Sequence, residues 1–465
     1  MAIAVVLVLL VVGSIIFHFM SPWWFTPIAS NWTTMDDTVI LTFWVTGVVF
    51  VIVNLFLAWA VLRYRHRKGQ KAAYEPENKK LEWWLTIVTS IGVAAMLAPG
   101  LFVWGKFVVV PEDAAIVEAV GQQWHWSFRF PGEDGKLGHS SASLITPDNP
   151  FGIDPEDPLG RDDVLVASPE LRLPVDQPVK VLLRSKDVLH NFTVTQFRVK
   201  MDLVPGMITY LWLTPTVPGE YELLCEELCG VGHFAMRGRV IVTPREEFDT
   251  WLAGMPTFGE TQMLAAADPA AGAAQYAVCM ACHGPSGEGN VALNAPSIAG
   301  QEAGYVRRQL HAFRDGLRGV HIDDTYGKQM LPFATMLPDD DAIRNVAAYI
   351  AELPGHESEA TVAGNAKRGR SLYTTCAACH GTKGQGNWAL NAPRLAEISD
   401  WYLVRQLGNF QHGIRGAHRQ DYYGWQMATM ADSLADETAI NDIVAYINTL
   451  QPDPARTAMT TGRGN

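Results

Sequence analysis

At 465 residues the chain is too long for one compact domain, so several are expected. A formal charge of −12, with no basic stripe to neutralise phosphates, argues against nucleic acid and suits a basic protein partner. The six cysteines form three close pairs, one CxxxC and two CxxC, a spacing for bound metals or prosthetic groups rather than a disulfide framework.

In chain order, residues 1–20 are apolar but lack the leading Lys or Arg of a signal peptide; they read as an extra transmembrane helix, with a cleaved signal as the alternative. Residues 39–62 and 83–105 carry no charge, and each spans about 35 Å as helix, enough to cross a bilayer core. The loop between them holds Arg63, Arg65, Arg67, Lys68, Lys71, Lys79 and Lys80, so the positive-inside rule puts it in the cytoplasm and everything after residue 106 outside. The reading is a hairpin anchor with a large external body.

Residues 108–245 carry short strands and turns, the pattern of an all-β sandwich or Greek-key barrel. Within GQQWHWSFRF, Trp124, Trp126, Phe128 and Phe130 recur at period two, one face of a strand. Residues 246–268 read as helix and linker. The chain then repeats itself: CMACHG at 279–284 and CAACHG at 376–381 lie 97 residues apart, and NAP, RQL, YGxQM and VAYI-like segments keep that offset. Two copies of one small α domain follow, at 269–354 and 365–453, with a tail at 454–465.

C-x-x-C-H is the pattern of covalent c-type haem attachment. Cys279 and Cys282, then Cys376 and Cys379, would bind the porphyrin, with His283 and His380 as proximal ligands. A lone CxxC could hold zinc or act as a redox pair; the adjoining His and the repetition favour haem. For the sixth ligand, Met330 aligns with Met427, whereas Met336 aligns with Ser433 and Met430 with Phe333, so the repeat selects Met330 and Met427. His321 and His418 also align and offer a bis-His alternative. The repeats resemble the bacterial di-haem cytochrome c family, in which a Met precedes by seven residues the Leu before the last helix; Met330–Leu337 and Met427–Leu434 fit.

CEELCGVGHFAM, residues 225–236, has one Cys too many for a mononuclear blue copper site. Two thiolates four apart can bridge two coppers, and DVLHNF supplies a further histidine, His190. Zinc or a Cys225–Cys229 disulfide is the alternative. Together these segments resemble the CuA site of cytochrome c oxidase subunit II, a cupredoxin domain behind a two-helix hairpin. The resemblance implies that Cys225 and Cys229 bridge the coppers, that His190 and His233 ligate one each, and that Met236 and the Glu227 carbonyl are weak ligands. It also implies a magnesium held by the Glu227 side chain at the boundary with subunit I, electron transfer through Trp124, and a proton-channel entrance at Glu82. Where the family usually has Tyr between the tryptophans, this chain has His125.

The fold expected is therefore a transmembrane α-helical hairpin with a possible third helix, an all-β cupredoxin Greek-key barrel, and two small all-α class I cytochrome c domains. The resemblance implies a part of a haem–copper terminal oxidase in a bacterial inner membrane, taking electrons from a soluble or membrane cytochrome c or a cytochrome bc-type complex. Subunits I and III would be its partners, with oxygen reduced and protons translocated in subunit I. Asp323, Asp324 and Asp339–Asp341 are candidate donor contacts. Rival readings are a CuA subunit of a nitric oxide reductase and a stand-alone membrane-anchored redox carrier.

Overall fold

The computed structural model describes residues 1–21, 26–71, 76–264, 266–356 and 359–450. The expected tail, and the last residues of the second repeat, lie outside these. Three helices among the described residues are long and apolar enough to cross a membrane: α1 (Ala2–Met20), α2 (Thr33–Arg63) and α3 (Lys79–Val108). Their apolar side chains are mostly exposed, which leaves a surface that only lipid or another apolar helix would cover. The first helix packs against α2.

The outer ends of the helices are tied to the β domain. The Arg198 guanidinium donates to both carboxylate oxygens of Asp36 at 2.7 and 2.9 Å. Trp212 Nε1 and Tyr210 Oη donate to the Lys106 and Val108 carbonyls at the end of α3. Trp32 is buried between Phe107 and Trp212, with its Nε1 donating to the Trp212 carbonyl. Start of α2 and end of α3 therefore sit on the same side as the β domain.

That domain runs β1 (Ala115–Gln122), β2 (His125–Phe130), β3 (Val164–Val166), β4 (Glu170–Pro174), β5 (Val179–Ser185), β6 (His190–Val194), β7 (Val199–Leu203), β8 (Thr209–Leu213), β9 (Gly219–Leu224) and β10 (Arg237–Thr243). They form two five-stranded sheets among the described residues, β3-β2-β1-β5-β8 and β4-β10-β9-β6-β7. Pairing is antiparallel except for β1 with β5 and β4 with β10. Trp126, Phe128, Phe192, Val181 and Leu223 fill the space between the sheets. Trp126, Phe128 and Phe130 share the inward face as the period predicts; Trp124 lies before β2, in the turn, and is buried in the same cluster. The opposite face of β2 is buried too: Arg129 bridges Glu118 at 3.0 Å and Asp163 at 2.9 Å, and Arg184 completes the cluster at Glu118.

The segment expected as helix and linker carries two short helices and straps the β domain. Helices α4 (Arg245–Ala253) and α5 (Phe258–Met263) bury Phe248 and Phe258 against the β domain. Leu165 N–H donates to the Pro256 carbonyl at 2.9 Å and Phe258 N–H to the Asp163 carbonyl at 2.8 Å.

The two repeats are helical: α6 (Pro269–Gln275), α7 (Met280–His283), α8 (Ala303–Arg314), α9 (Gly327–Thr335) and α10 (Asp340–Glu352), then α11 (Ala366–His380), α12 (Asp400–Gln411), α13 (Tyr422–Ala431) and α14 (Glu437–Ile447). First and last helices of each repeat cross closely. A Cβ on Gly272 would lie 2.1 Å from the Asn345 carbonyl oxygen, and Gly369 meets Asp442 in the same way, so only glycine fits either crossing. The repeats face each other across reciprocal contacts. Arg318 donates to Gln309 at 2.6 Å and across to Tyr402 at 2.8 Å and Gln406 at 3.1 Å. Arg415, 97 residues later, donates to Gln406 at 2.7 Å and across to Tyr305 at 3.1 Å and Gln309 at 2.9 Å. Likewise Arg308 bonds Asn391 and Arg405 bonds Asn294. Equal residues contact each other's counterparts, as a two-fold relation requires.

Candidate metal and haem centres

The Cys225–Met236 loop joins β9 to β10, and His190 opens the neighbouring β6, so three adjacent strand ends deliver the donors to one place. The Cys225 and Cys229 sulfurs are 3.7 Å apart. Cys229 Sγ is 3.5 Å from His233 Nδ1 and 3.9 Å from Met236 Sδ, and Cys225 Sγ is 3.2 Å from the Glu227 carbonyl oxygen. The donor atoms of His190, Cys225 and Cys229 all lie within 4.8 Å of one another. Every residue expected around the copper pair is thus in the cluster. His190 Nδ1 is buried with no hydrogen-bond partner among the described residues, an arrangement that suits a metal. The hydrogen bond between the sulfurs, with His190 beside them, pulls the Cys225 thiol well below its usual range and pushes that of Cys229 above it. Soft thiolates, two imidazoles and a thioether match copper.

Two supports around this cluster were not singled out from sequence. His190 Nε2–H donates to Asp187 at 2.8 Å, and the same carboxylate accepts the Gln123 N–H at 2.7 Å. Burial opposes ionisation of Asp187, yet the His190, Gln123 and Val188 hydrogen bonds hold its carboxyl below the usual range. Asp187 therefore fixes the tautomer of a metal-facing histidine and the backbone beside Trp124 at once. The aspartate stands in DVLHNF itself, three residues before His190, so an eye for second ligands could have found it. Trp124 is held from the copper loop as well. Its Nε1–H donates to the Cys229 carbonyl at 3.0 Å, Gln123 Nε2 donates there at 2.8 Å, and a Cβ on Gly232 would lie 2.5 Å from the indole.

The haem positions line a continuous cavity of about 350 Å³ shared by both repeats and reaching Trp124. Cys279, Cys282, His283 and Met330 line it in the first repeat; Cys376, Cys379, His380 and Met427 do so in the second. Met336 is exposed and does not, whereas Met430 also lines the cavity. His283 Nδ1–H donates to the Pro296 carbonyl at 2.9 Å and His380 Nδ1–H to Pro393 at 2.8 Å, which leaves each Nε2 for a metal. Burial lowers both imidazole pKa values and so keeps the rings neutral. Arg318 and Arg415 also line the cavity, each with a buried Nε lacking a partner among the described residues, which suits the carboxylates of a haem. His321 and His418 do not line it, so the bis-His alternative has no support here.

The second repeat is seated on the β domain beside Trp124. Gln426 Nε2 donates to the Trp124 carbonyl, and Gln122 Nε2 donates to Ala389 at 2.8 Å. The His125 ring stacks on Tyr423 with centroids 4.9 Å apart. Arg419 pairs with Glu220, and Tyr422 Oη donates to Glu170. Glu82 stands exposed in the first turn of α3, remote from these centres in sequence and fold.

The family model for the periplasmic domain of cytochrome c oxidase subunit II matches residues 115–243, and that for cytochrome c matches twice, at 269–354 and 366–451. The alternative cytochrome c oxidase subunit 2 of Bradyrhizobium diazoefficiens is 56% identical over 258 residues, 56% of this chain and 93% of that protein. The cytochrome c oxidase subunit 2 of Cereibacter sphaeroides is 29% identical over 237 residues, 49% of this chain and 77% of its own. Among solved structures, reduced recombinant cytochrome c4 from Pseudomonas stutzeri aligns with 40% of this chain over 100% of its own, at 28% identity and a TM-score of 0.33. The β domain and anchor, the copper donor cluster and the two haem-type repeats thus agree, and the chain belongs to the cytochrome c oxidase subunit II family, with two cytochrome c domains following the copper domain.

Proposed function

We propose that this chain is the electron-input subunit of a haem–copper terminal oxidase in a bacterial inner membrane, passing electrons from a c-type cytochrome or a cytochrome bc-type complex through two covalent c haems to CuA and on to subunit I. There oxygen would be reduced to water with proton translocation, alongside subunit III. The observation that carries this reading is the single cavity running from His283 past His380 to Trp124, whose indole is bonded to the Cys229 carbonyl. Cys225 and Cys229 would bridge the coppers, His190 and His233 would ligate one each, and Met236 and the Glu227 carbonyl would be the weak ligands. His283 with Met330, and His380 with Met427, would hold the irons, a ligand pair that favours a high potential. The exposed apolar residues Met207, Ile208 and Leu228, near the copper donors in sequence, offer a surface for the catalytic subunit. The half-buried Glu227 side chain would hold magnesium at that boundary, and Glu82 would mark a proton-channel entrance on the cytoplasmic side.

The test is metal analysis, difference spectra and oxygen uptake of the detergent-purified complex. Two c haems and two coppers per chain, with cyanide-sensitive oxygen uptake, are expected. Nitric oxide consumption without oxygen uptake would give the role to a reductase instead. In Cys225→Ser the copper count falls and the thiolate-to-copper absorption disappears, while both c haem bands remain; loss of the haem bands too would contradict separate centres.

A further inference from the structure

The face by which the second repeat sits on the β domain is present a second time. Its contact positions are Ala389, Arg419, Tyr422, Tyr423 and Gln426. The 97-residue offset carries them to Ala292, Ile322, Thr325, Tyr326 and Gln329 of the first repeat. All five of these are exposed, whereas Tyr422, Tyr423 and Gln426 are partly buried by the β domain. The free copy also carries exposed aliphatic side chains. Ile322, 80% exposed, replaces Arg419, and Val291 and Val320 beside the face are 64% and 54% exposed. The fold therefore keeps one redox-facing surface twice, covers one copy internally, and leaves the other open with large aliphatic side chains in water, which single domains avoid without a partner.

We infer that this face of the first repeat, centred on Ile322, Tyr326 and Val291, is the docking site of the external electron donor, a soluble one-electron carrier whose metal edge is framed by apolar residues and ringed by lysines. The inference rests on the electron-input reading above. The apolar centre is set by Ile322 and Val320. The positive ring is set by exposed carboxylates on the same repeat: Asp323 next to Ile322 is more than 60% exposed, as are Asp340 and Asp341 at the start of α10, which also pair with Arg314 and Arg344. The second repeat has Arg419, paired with Glu220, and Gln420 where the first has Ile322 and Asp323, so the open copy offers a carboxylate that the covered copy lacks, while Lys328 donates to the Ile322 carbonyl at 2.7 Å. The β domain already covers the second copy and the Trp124 backbone, so a carrier approaching there meets Gln426 and Tyr423 rather than the tryptophan.

The test uses the intact haem- and copper-loaded protein in detergent, with mammalian cytochrome c as the lysine-rich probe. Its binding is read by surface plasmon resonance at low ionic strength, and the reduction of each centre by stopped-flow absorbance. Ile322→Lys and Val291→Lys should each weaken binding at least about tenfold, equivalent to about 1.4 kcal/mol. Thr382→Lys, on the exposed surface of the second repeat, should bind like the unmodified protein. Unchanged affinity in the first two variants, equal loss in Thr382→Lys, or no binding by the unmodified protein would overturn the docking site. So would a concentration-dependent dimer in sedimentation that Ile322→Lys dissolves, since a second copy would then be the occupant. Failure of the electron-input reading looks different: the probe binds and the lysine variants lose it, but the copper absorption stays oxidised after the haems are reduced.

Discussion

The two cytochrome c repeats share their helices, their ligand spacing, a close glycine crossing and the reciprocal arginine contacts, yet their equal faces meet different surroundings. In the second repeat, Tyr422, Tyr423 and Gln426 are spent on the β domain; in the first, Thr325, Tyr326 and Gln329 are exposed. Haem-side positions hardly change between the copies, and outward positions change freely. The duplicated module is thus divided by its surface: one copy faces the copper domain, and the equal face of the other is open. The energetic logic is that of a tether, in which fixing one module beside Trp124 replaces a diffusional encounter by a local one at millimolar effective concentration.

The largest test of this division removes one haem site at a time. In His380→Ala, the first repeat should still be reduced by a c-type donor at the normal rate, while reduction of the copper centre falls below detection. In His283→Ala, neither the second haem nor the copper should be reduced promptly. Stopped-flow traces at the haem and copper bands distinguish these patterns. Prompt copper reduction in either variant would break the serial order.

A smaller effect is expected at the contact between the repeats. Arg415→Leu removes one of the two arginine donors to Gln406 and to Gln309 and the arginine donor to Tyr305, three charged hydrogen bonds of a buried side chain, at a cost of about 3 kcal/mol. For modules of this size that lowers the midpoint of thermal unfolding by roughly 6–12 °C, followed by the haem absorbance. Because the contacts are reciprocal, Arg318→Leu should cost about the same. A large difference between the two would show that the two-fold relation does not extend to their energetics.

What was legible in the sequence follows from how local each requirement is. The copper loop needs its two Cys, its His and its Met on one short turn, so CEELCGVGHFAM displays most of the centre without a fold. Haem attachment is equally contiguous, and the 97-residue offset separates Met330 and Met427 from Met336 and Met430 by alignment. The cavity is lined by the first two and not by Met336, although Met430 also reaches it. The membrane segments were legible as uncharged runs, with α2 and α3 running beyond them at both ends. Less was visible wherever long-range packing decides. The stretch holding Arg245–Ala253 and Phe258–Met263 read as helix and linker without its packing on the β domain, because its buried face holds just Phe248 and Phe258. Which repeat would sit on the β domain was hidden, because the copies differ there by single residues such as Arg419 against Ile322. His125 stood out as a departure from the family's usual Tyr, but its reason lies in Tyr423, almost 300 positions away.

That departure gives the smallest effect, one that titrates the seating of the second repeat. His125 is buried against Tyr423, its Nε2–H donates to the Ala167 carbonyl at 2.7 Å, and its Nδ1 has no partner among the described residues. Burial pushes its pKa down from 6.5 to about 4; the Ala167 bond works against this, while Lys186 and Arg308 nearby add to it. The folded-state value is below the unfolded one, so between these limits the unfolded chain binds the extra proton. The contribution is therefore intact above pH 6.5, shrinks as pH falls, and is lost by about pH 4. Near pH 5 the loss amounts to about 2 kcal/mol. Protonation places a cation beside Lys186 and Arg308, so the charge is best relieved by parting His125 from Tyr423. His125→Phe keeps a ring on Tyr423 but removes the titration, and its stability should fall less between pH 7 and 5 than that of the unmodified chain. Thermal unfolding of both proteins across that range, read at the second repeat's haem band, measures the difference. Parallel pH profiles would place the acid sensitivity elsewhere and leave the stack as packing alone. Converging profiles would show that the bond between the second repeat and the copper domain is pH-sensitive, a property for which the first repeat has no counterpart, since Tyr326 stacks on no histidine among the described residues.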